Sequence, residues 1–235
     1  SLIVCADPQV GFNEEVPLLE GILADIRSYT SHMDENIYGI VCGDLVVAVN
    51  QKDPPIKEIV NQFSNLNFPF FFLAGNHDLN MNHRSNENSK KTFEEIIGPT
   101  YYSFNRGKVH YVILDDVFYT GRSSSYIGYI PEHQLKWLEQ DLANVKKGST
   151  VVISLHIPTY SKAARNAEYQ KEEINKIVQN RDILYKIVKD YNVHIMSGHE
   201  HYQENYLIKD NIYEHVHAAM CGIFWQAPYN SDGTP

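Results

Sequence analysis

Polar side chains that can bind metal ions or transfer protons follow five apolar segments of the chain. The segments and their polar ends read ADPQ, GDLV, GNHD, SLHIP and GHEH. Aspartate, glutamine, asparagine and histidine all belong to the usual inventory of metal ligands. Because open α/β sheets bind ligands at the carboxyl ends of their strands, five such endings in order indicate a metal site at one edge of a sheet.

Each motif taken singly has a simpler explanation. DPQ alone is typical of a turn, GD alone is weaker still, and loops rich in Asn and Asp resemble GNHD. GHEH is more specific, because its two imidazoles are spaced to converge on one small volume. The order of all five motifs, each after an apolar strand, favours the metal site over five unrelated turns.

The elements that must position these residues follow from hydrophobic periodicity. The sequence predicts strands over residues 2–6, 37–42 and 70–73, alternating with helices over 17–31 and 54–64. In this βαβαβ layout, neighbouring parallel strands place Asp7 and Asp44 at one level. Two adjacent carboxylates repel each other unless a cation lies between them.

The second half of the chain is richer in strands. Its predicted elements are a helix over 89–97, a hairpin that turns at Arg106 and Gly107, an amphipathic helix that begins at Pro131, the strands TVVISL and VHIMSG, a long polar helix over 171–190, and strands over 203–208 and 212–217. The predicted fold class is therefore α/β, with two mixed β-sheets packed as a sandwich and flanked by helices.

Composition limits the classes of function. The 235 residues, 43% of them hydrophobic and 21% charged, suit one α/β domain, and no segment is apolar over the roughly 18 to 20 residues of a membrane span. A net charge of −9 argues against nucleic-acid binding and against anionic membrane surfaces. Three cysteines without a CxxC pair predict no disulfide framework.

The ordered motif set, from Asp7 to His201, resembles the calcineurin-like metallophosphoesterase superfamily, in its DPQ branch. Further segments, such as HQLKWLEQDL and CGIFWQAPYNSDGTP, are similar to bacterial multidomain members of that superfamily. The resemblance implies a four-layer metallophosphoesterase fold in which residues 1–235 are a catalytic domain excised from a longer protein. It also suggests a periplasmic or secreted bacterial protein, with a cytoplasmic one as the alternative.

The same resemblance implies two divalent metal ions, with Mn, Fe, Zn and Mg as the candidates for a thiolate-free donor set. Asp44 would bridge the two ions. The first ion would be completed by Asp7, Gln9 and His201, and the second by Asn76, His156 and His199. His77 would then be the general acid, with Asp78 beside it to orient or charge the imidazole. Pro8 is expected to keep Asp7 extended, so that Gln9 faces the same side.

Several loop residues are candidates for substrate contact. His83, Arg84 and Arg122 could reach a substrate phosphate, and Tyr126 and Tyr129 could line the mouth of the site.

The leading function is hydrolysis of phosphate monoesters by a metal-bridging water or hydroxide. The expected substrates are phosphoproteins or small phosphorylated molecules. The alternative is a phosphodiesterase that acts on cyclic nucleotides or other diesters, since the same metals and His77 would serve. A nuclease ranks lower because the domain is acidic. A binding module that holds metal without catalysis is the non-enzyme alternative, and only Gln9 in place of the family's more common histidine points to it.

Overall fold

Three parallel strands form the first sheet and carry the first three motifs. The computed structural model describes residues 1–33, 36–49, 54–122, 125–162, 165–166 and 171–221. In it, β1 (Leu2–Cys5), β2 (Tyr38–Val41) and β3 (Phe70–Phe72) lie side by side in that order. These strands agree with the predicted ones to within one residue at each end. Their carboxyl ends meet at the same edge of the sheet.

A six-stranded mixed sheet forms the second layer of strands. The strands after β3 in the described residues are β4 (Tyr102–Arg106), β5 (Val109–Ile113), β6 (Val117–Tyr119), β7 (Tyr126–Gly128), β8 (Thr150–Ser154), β9 (Arg165–Asn166), β10 (Lys171–Glu172), β11 (Asn192–Ser197), β12 (Glu204–Lys209) and β13 (Ile212–Val216). The sheet has the order β12-β13-β11-β8-β5-β4. Its four central strands are parallel, and β12 and β4 are antiparallel edges.

The helices cover the outer faces of both sheets. They are α1 (Leu19–Thr30), α2 (Ile56–Ser64), α3 (Asn86–Ser89), α4 (Lys91–Ile96), α5 (Glu132–Leu142) and α6 (Arg181–Val188), and a 3-10 helix, Asn13–Leu18, precedes α1. Helices α1, α2 and α4 bury their apolar faces on the three-stranded sheet, while α5 and α6 bury theirs on the six-stranded sheet. No helix in the described part of the chain is both long and apolar enough to cross a bilayer.

The two sheets pack against each other through a separate core. Ile40 and Cys42 of the first sheet segment meet Tyr111, Ile113 and Val152 of the second. Successive side chains of a strand point to opposite faces of its sheet. Ile40 and Cys42 therefore face the second sheet, while the side chain between them faces the helices, so both faces of the first sheet are covered. The predicted four layers, with two sheets between helices, are confirmed. The three-stranded sheet, however, is entirely parallel rather than mixed.

The long polar helix predicted over 171–190 is wrong in its first half. Only α6, Arg181–Val188, is helical there. The preceding residues bond to distant segments instead: the Ile174 carbonyl accepts the amide of Gly128, and the Asn180 side chain bonds both backbone groups of Ile130. Tertiary contacts therefore override a helical pattern in this segment. The short hairpin of β6 and β7 and the pair β9–β10 were not predicted, because both are too short to show periodicity.

A buried ion pair joins the start of α4 to the strand-end segment of the second sheet. Lys90 and Asp115 form it, and their side chains are 5% and 4% exposed. Gln134 of α5 fixes the backbone of Asp115 by donating to its carbonyl and accepting from its amide, at 3.0 and 3.1 Å. Asp115 therefore connects α4, which covers the three-stranded sheet, with α5, which covers the six-stranded sheet.

Removing one partner of this pair leaves an uncompensated buried charge. Lys90→Met should lower the free energy of unfolding by about 3 to 5 kcal/mol, measured by urea denaturation. Lys147→Met is the matched control, since its pair with Asp190 is exposed, and it should change stability little. Equal effects of the two substitutions would contradict the assignment of Lys90 and Asp115 as a structural pair.

Candidate metal centre

Five strands deliver the predicted ligands to one edge of the two sheets. Asp7, Asp44 and Asn76 follow β1, β2 and β3, while His156 and His199 follow β8 and β11. Parallel β5, β8, β11 and β13 bring the second sheet's ligands to the same end as those of the first. The expected clustering at carboxyl ends thus follows from the observed topology.

The backbone turns sharply at these strand ends. Among the described residues, the non-glycine residues with positive φ are Asp7, Gln9, Asp44, His199 and His201, with φ between 44° and 69°. All five are predicted metal ligands. Left-handed conformations cost free energy for residues with a Cβ, and they persist where the surrounding structure holds them to aim a side chain. This corrects the expectation that Pro8 keeps Asp7 extended.

The residues predicted for the second metal converge tightly. His156 Nε2 lies 3.4 Å from Asp44 Oδ1, 3.0 Å from Asn76 Oδ1 and 3.2 Å from His199 Nδ1. Asp44, His156 and His199 also form the one group of at least three His, Cys, Asp or Glu donors within 4.8 Å that the described part of the chain contains. All three side chains are buried or half-buried.

The residues predicted for the first metal lie alongside as two pairs. His201 Nε2 is 3.4 Å from Asp7 Oδ1, and the Gln9 amide donates to Asp44 Oδ2 at 3.2 Å. Asp7, predicted for the first metal, also accepts the backbone amide of His199, which is predicted for the second, at 3.0 Å. The two predicted sites are therefore directly connected. Asp44 contacts residues of both sets through its two oxygens, which is the placement expected of a bridging ligand.

Hydrogen bonds on the far side of the rings determine which nitrogens face the centre. His156 Nδ1 donates to the Cys42 carbonyl at 2.8 Å, and His199 Nε2 donates to the Asn175 carbonyl at 3.0 Å. His156 Nε2 and His199 Nδ1 therefore point their lone pairs at each other and at the oxygens of Asp44 and Asn76. Four acceptor atoms with no donor among them require a proton or a cation.

The pKa values of these side chains show how the four acceptor atoms respond when a proton, rather than a metal ion, lies between them. Burial alone would raise the pKa of Asp44, but the charge and hydrogen bond of His156 hold it below its ordinary value. Burial opposes protonation of His156, yet Asp44 raises the pKa of that imidazole to about 10. Burial and the charge of His156 lower the pKa of His199 to about 3. A divalent cation in place of the His156 proton would satisfy all four acceptors, so the donor set fits a metal ion.

Three glycines of the motifs make room for the ligand atoms. A Cβ on Gly43 would lie 2.6 Å from His156 Nδ1, and one on Gly75 would lie 2.1 Å from Asp44 Oδ1. A Cβ on Gly198 would lie 2.5 Å from Asp7 Oδ2. The G of GD, GNHD and GHEH is therefore needed because the ligands pack directly against the backbone. The sequence showed these glycines, but not what they contact.

His77 lies at the open side of the cluster, with its side chain 40% exposed. Its Nδ1 donates to the Val47 carbonyl, which leaves Nε2 facing Asp44 Oδ2 at 3.9 Å. Asp78 was expected to orient this ring, and the structure corrects that expectation. Asp78 instead accepts the backbone amides of Leu45 and Gly75 at 2.9 and 2.8 Å, together with that of Val46, and thereby joins the loops after β2 and β3.

Two buried carboxylates support the site, and sequence reasoning missed both. Asp116 accepts the amides of His156 and Ile157 at 3.0 and 2.9 Å. Glu214 accepts the amide of Thr159 at 2.7 Å and the hydroxyl of Ser197 at 3.1 Å, so it joins the two loops that carry the predicted histidine ligands. The sequence did contain a signal for Glu214. It lies on the same buried face of β13 as Ile212 and Val216, where a charged side chain is unusual.

The predicted substrate residues, apart from Tyr126, lie outside the described lining of the cavity beside His77. His83, Arg84 and Arg122 are exposed. None of them is among the residues that line the cavity beside His77, whereas Tyr126 is, and Tyr129 is not.

Comparison with known proteins assigns the family. Residues 1–203 match the model of the calcineurin-like phosphoesterase family, and the chain belongs to that family. Purple acid phosphatase 15 of Arabidopsis thaliana is 30% identical over 152 residues, which is 58% of this chain and 25% of that protein. Purple acid phosphatase 13 of the same plant is 29% identical over 143 residues, covering 55% and 24%. The chain thus spans about a quarter of the length of these relatives.

Solved structures share the fold at low sequence identity. A dimetal phosphatase from Danio rerio superposes with a TM-score of 0.62 at 12% identity, covering 93% of this chain and 87% of that one. A 5′-nucleotidase from Candida albicans has a TM-score of 0.56 at 14% identity, covering 94% and 46%. The fold is therefore that of the metallophosphatases.

The glycine contacts generate a prediction about metal affinity. Gly75→Ala should displace Asp44 and weaken Mn²⁺ binding to metal-stripped protein by about 10- to 100-fold, measured by calorimetric titration. Gly21→Ala in α1 is the control, because a Cβ there meets no atom within 4 Å, and its affinity should equal that of wild type. If Gly75→Ala bound Mn²⁺ as tightly as wild type, the position of Asp44 would not depend on its packing against Gly75.

Proposed function

We propose that this domain hydrolyses phosphate monoesters with the help of two divalent metal ions, drawn from Mn, Fe, Zn and Mg. The observation that carries the proposal is the convergence of four acceptors, buried or half-buried, beside the exposed His77; they belong to Asp44, Asn76, His156 and His199. When bound, the ions would neutralise the phosphoryl oxygens and lower the pKa of the attacking water.

The protein's own residues divide the remaining work. Asp44 would bridge the two ions, with its two oxygens directed at the two sets of ligands described above. Asn76, His156 and His199 would complete one ion, and Asp7, Gln9 and His201 the other. Uncharged Gln9 and Asn76 leave a larger net positive charge at the centre, which favours a phosphate dianion.

His77 would supply the proton for the leaving group. Its Nδ1 donates to the Val47 carbonyl, and this bond orients the ring so that Nε2 faces Asp44 and the cluster. Water adds its oxygen to phosphorus, the bond from phosphorus to the alcohol oxygen breaks, and the Nε2 proton of His77 goes to that departing oxygen. The products are the alcohol and inorganic phosphate.

The comparisons support a monoesterase more than a diesterase. The curated relatives are named as phosphatases, and the matching structures are titled as a phosphatase and a 5′-nucleotidase. We therefore take phosphorylated small molecules or phosphoproteins as the substrate class, and residues 1–235 as the catalytic part of a longer protein.

The direct test is turnover of mono- and diesters by metal-stripped protein reloaded with Mn, Fe, Zn or Mg. We expect monoesters to be hydrolysed with at least one metal, and Asp44→Asn to be inactive because an amide is a poor bridge between two dications. Faster turnover of diesters would favour the phosphodiesterase alternative. Absence of turnover with every metal would favour a binding module.

The role of His77 makes a separate prediction. His77→Ala should keep both metals and lose roughly 10² to 10⁴ in kcat on alkyl phosphates, whose leaving groups need a proton. Aryl phosphates should lose far less. His32→Ala, which replaces an exposed histidine remote from the cluster, is the control and should match wild type. Equal losses on both substrate classes, or loss of metal by elemental analysis, would exclude this role.

A further inference from the structure

A cavity of about 270 Å³ opens beside His77. Its described lining combines two polar residues of the GNHD motif with a wall that is largely apolar. The polar residues are Asn76 and His77, and the wall is formed by Val47, Ala48, Leu79, Met81 and Tyr126. We refer to the space bounded by these seven residues as the His77 cavity.

The walls of the His77 cavity are built from the same loops that carry the predicted ligands. Val47 and Ala48 follow Asp44, and Leu79 and Met81 follow Asp78. Backbone bonds hold the two loops together, since the amide of Val49 donates to the His77 carbonyl at 3.1 Å. The Tyr119 hydroxyl fixes the Met81 carbonyl at 2.9 Å. Hydrogen bonds therefore hold the described walls of the cavity in place.

Tyr126 connects the cavity to the metal cluster. Its ring lies edge-on to His199, with the ring centroids 6.1 Å apart, and it extends the apolar wall toward the predicted ligands. A phosphate held at the cluster, with its ester oxygen near His77, would thus have the His77 cavity as the adjoining space for the rest of the molecule.

We propose that the preferred substrates are phosphate monoesters of uncharged, apolar alcohols that carry one aromatic ring or a branched alkyl group. The proposal rests on the proposed function, because it assigns the cavity to the leaving group that His77 protonates. No Lys, Arg, Asp or Glu belongs to the described lining. A charged or polyhydroxylated leaving group would lose water along the apolar wall, where Val47, Ala48, Leu79 and Met81 offer no side-chain hydrogen-bond donor.

Size restricts the leaving group further. Ligand pockets commonly have volumes of about 300 to 1,000 Å³, and the His77 cavity lies just below that range. One ring or one branched chain fills such a space, whereas a nucleoside would project from it. Burial of a single ring against the apolar walls should raise kcat/KM roughly ten- to hundredfold over that of a phosphate ester without the ring.

The test compares 2-phenylethyl phosphate with ethyl phosphate, two alkyl esters that differ in apolar bulk but release similarly basic alcohols. Metal-loaded wild-type protein should prefer 2-phenylethyl phosphate by at least about tenfold in kcat/KM. Met81→Gln, which adds polarity at similar length, and Ala48→Phe, which fills the cavity, should each reduce that ratio several-fold. Leu207→Gln on β12 is the control, because Leu207 is 62% exposed and lies outside the lining, and it should leave the ratio unchanged.

A binding experiment separates this proposal from the proposed function. Benzylphosphonate and methylphosphonate cannot be hydrolysed, and calorimetry with metal-loaded protein should show tighter binding of benzylphosphonate. The same two cavity variants should reduce that preference. Turnover of both esters with a ratio near one, or a ratio that both cavity variants leave intact, would overturn the cavity proposal while the phosphoesterase stands. Preferential binding without any turnover would support the cavity and overturn the proposed function.

Discussion

The structure depends on one electrostatic constraint: four acceptor atoms, buried or half-buried, converge with no donor between them, although Asp44 Oδ1 also accepts the His77 backbone amide at 2.8 Å. The lone pairs of His156 Nε2 and His199 Nδ1 converge with the oxygens of Asp44 and Asn76. In water each atom would be hydrated, whereas in the interior acceptors that face one another without a donor between them cost free energy. A positive charge at their common point would remove that cost, so the arrangement suits a cation.

The fold holds this unfavourable arrangement in place through rigid surroundings. Five predicted ligands lie in left-handed backbone conformations, which do not persist without support. Buried carboxylates outside the ligand set provide it by accepting backbone amides: Asp78 joins the loops after β2 and β3, Asp116 holds the start of the loop after β8, and Glu214 joins that loop to the end of β11. The free energy of the two-sheet core thus maintains the geometry of the site.

Much of the fold and of the candidate site could be predicted from the sequence. The strands before DPQ, GD and GNHD have clear apolar patterns, and polar residues at strand ends have few uses other than turns and sites. What could not be predicted depends on contacts between distant segments. The Asn175 carbonyl orients the His199 ring. It can do so because residues 173–180 are not helical, although the sequence predicts a helix over 171–190. The Val47 carbonyl, rather than neighbouring Asp78, contacts the His77 ring, and sequence proximity gave no sign of that.

Asp44 is proposed to join two ion sites at the strand ends. Anomalous diffraction from crystals of the Mn-loaded protein measures this most directly, because manganese positions appear independently of the protein atoms. We expect two anomalous peaks about 3.5 to 4 Å apart, with Asp44 between them. One peak should lie beside Asn76, His156 and His199, and the other beside Asp7, Gln9 and His201. A peak confined to one set, or manganese bound away from Asp44, would contradict this assignment.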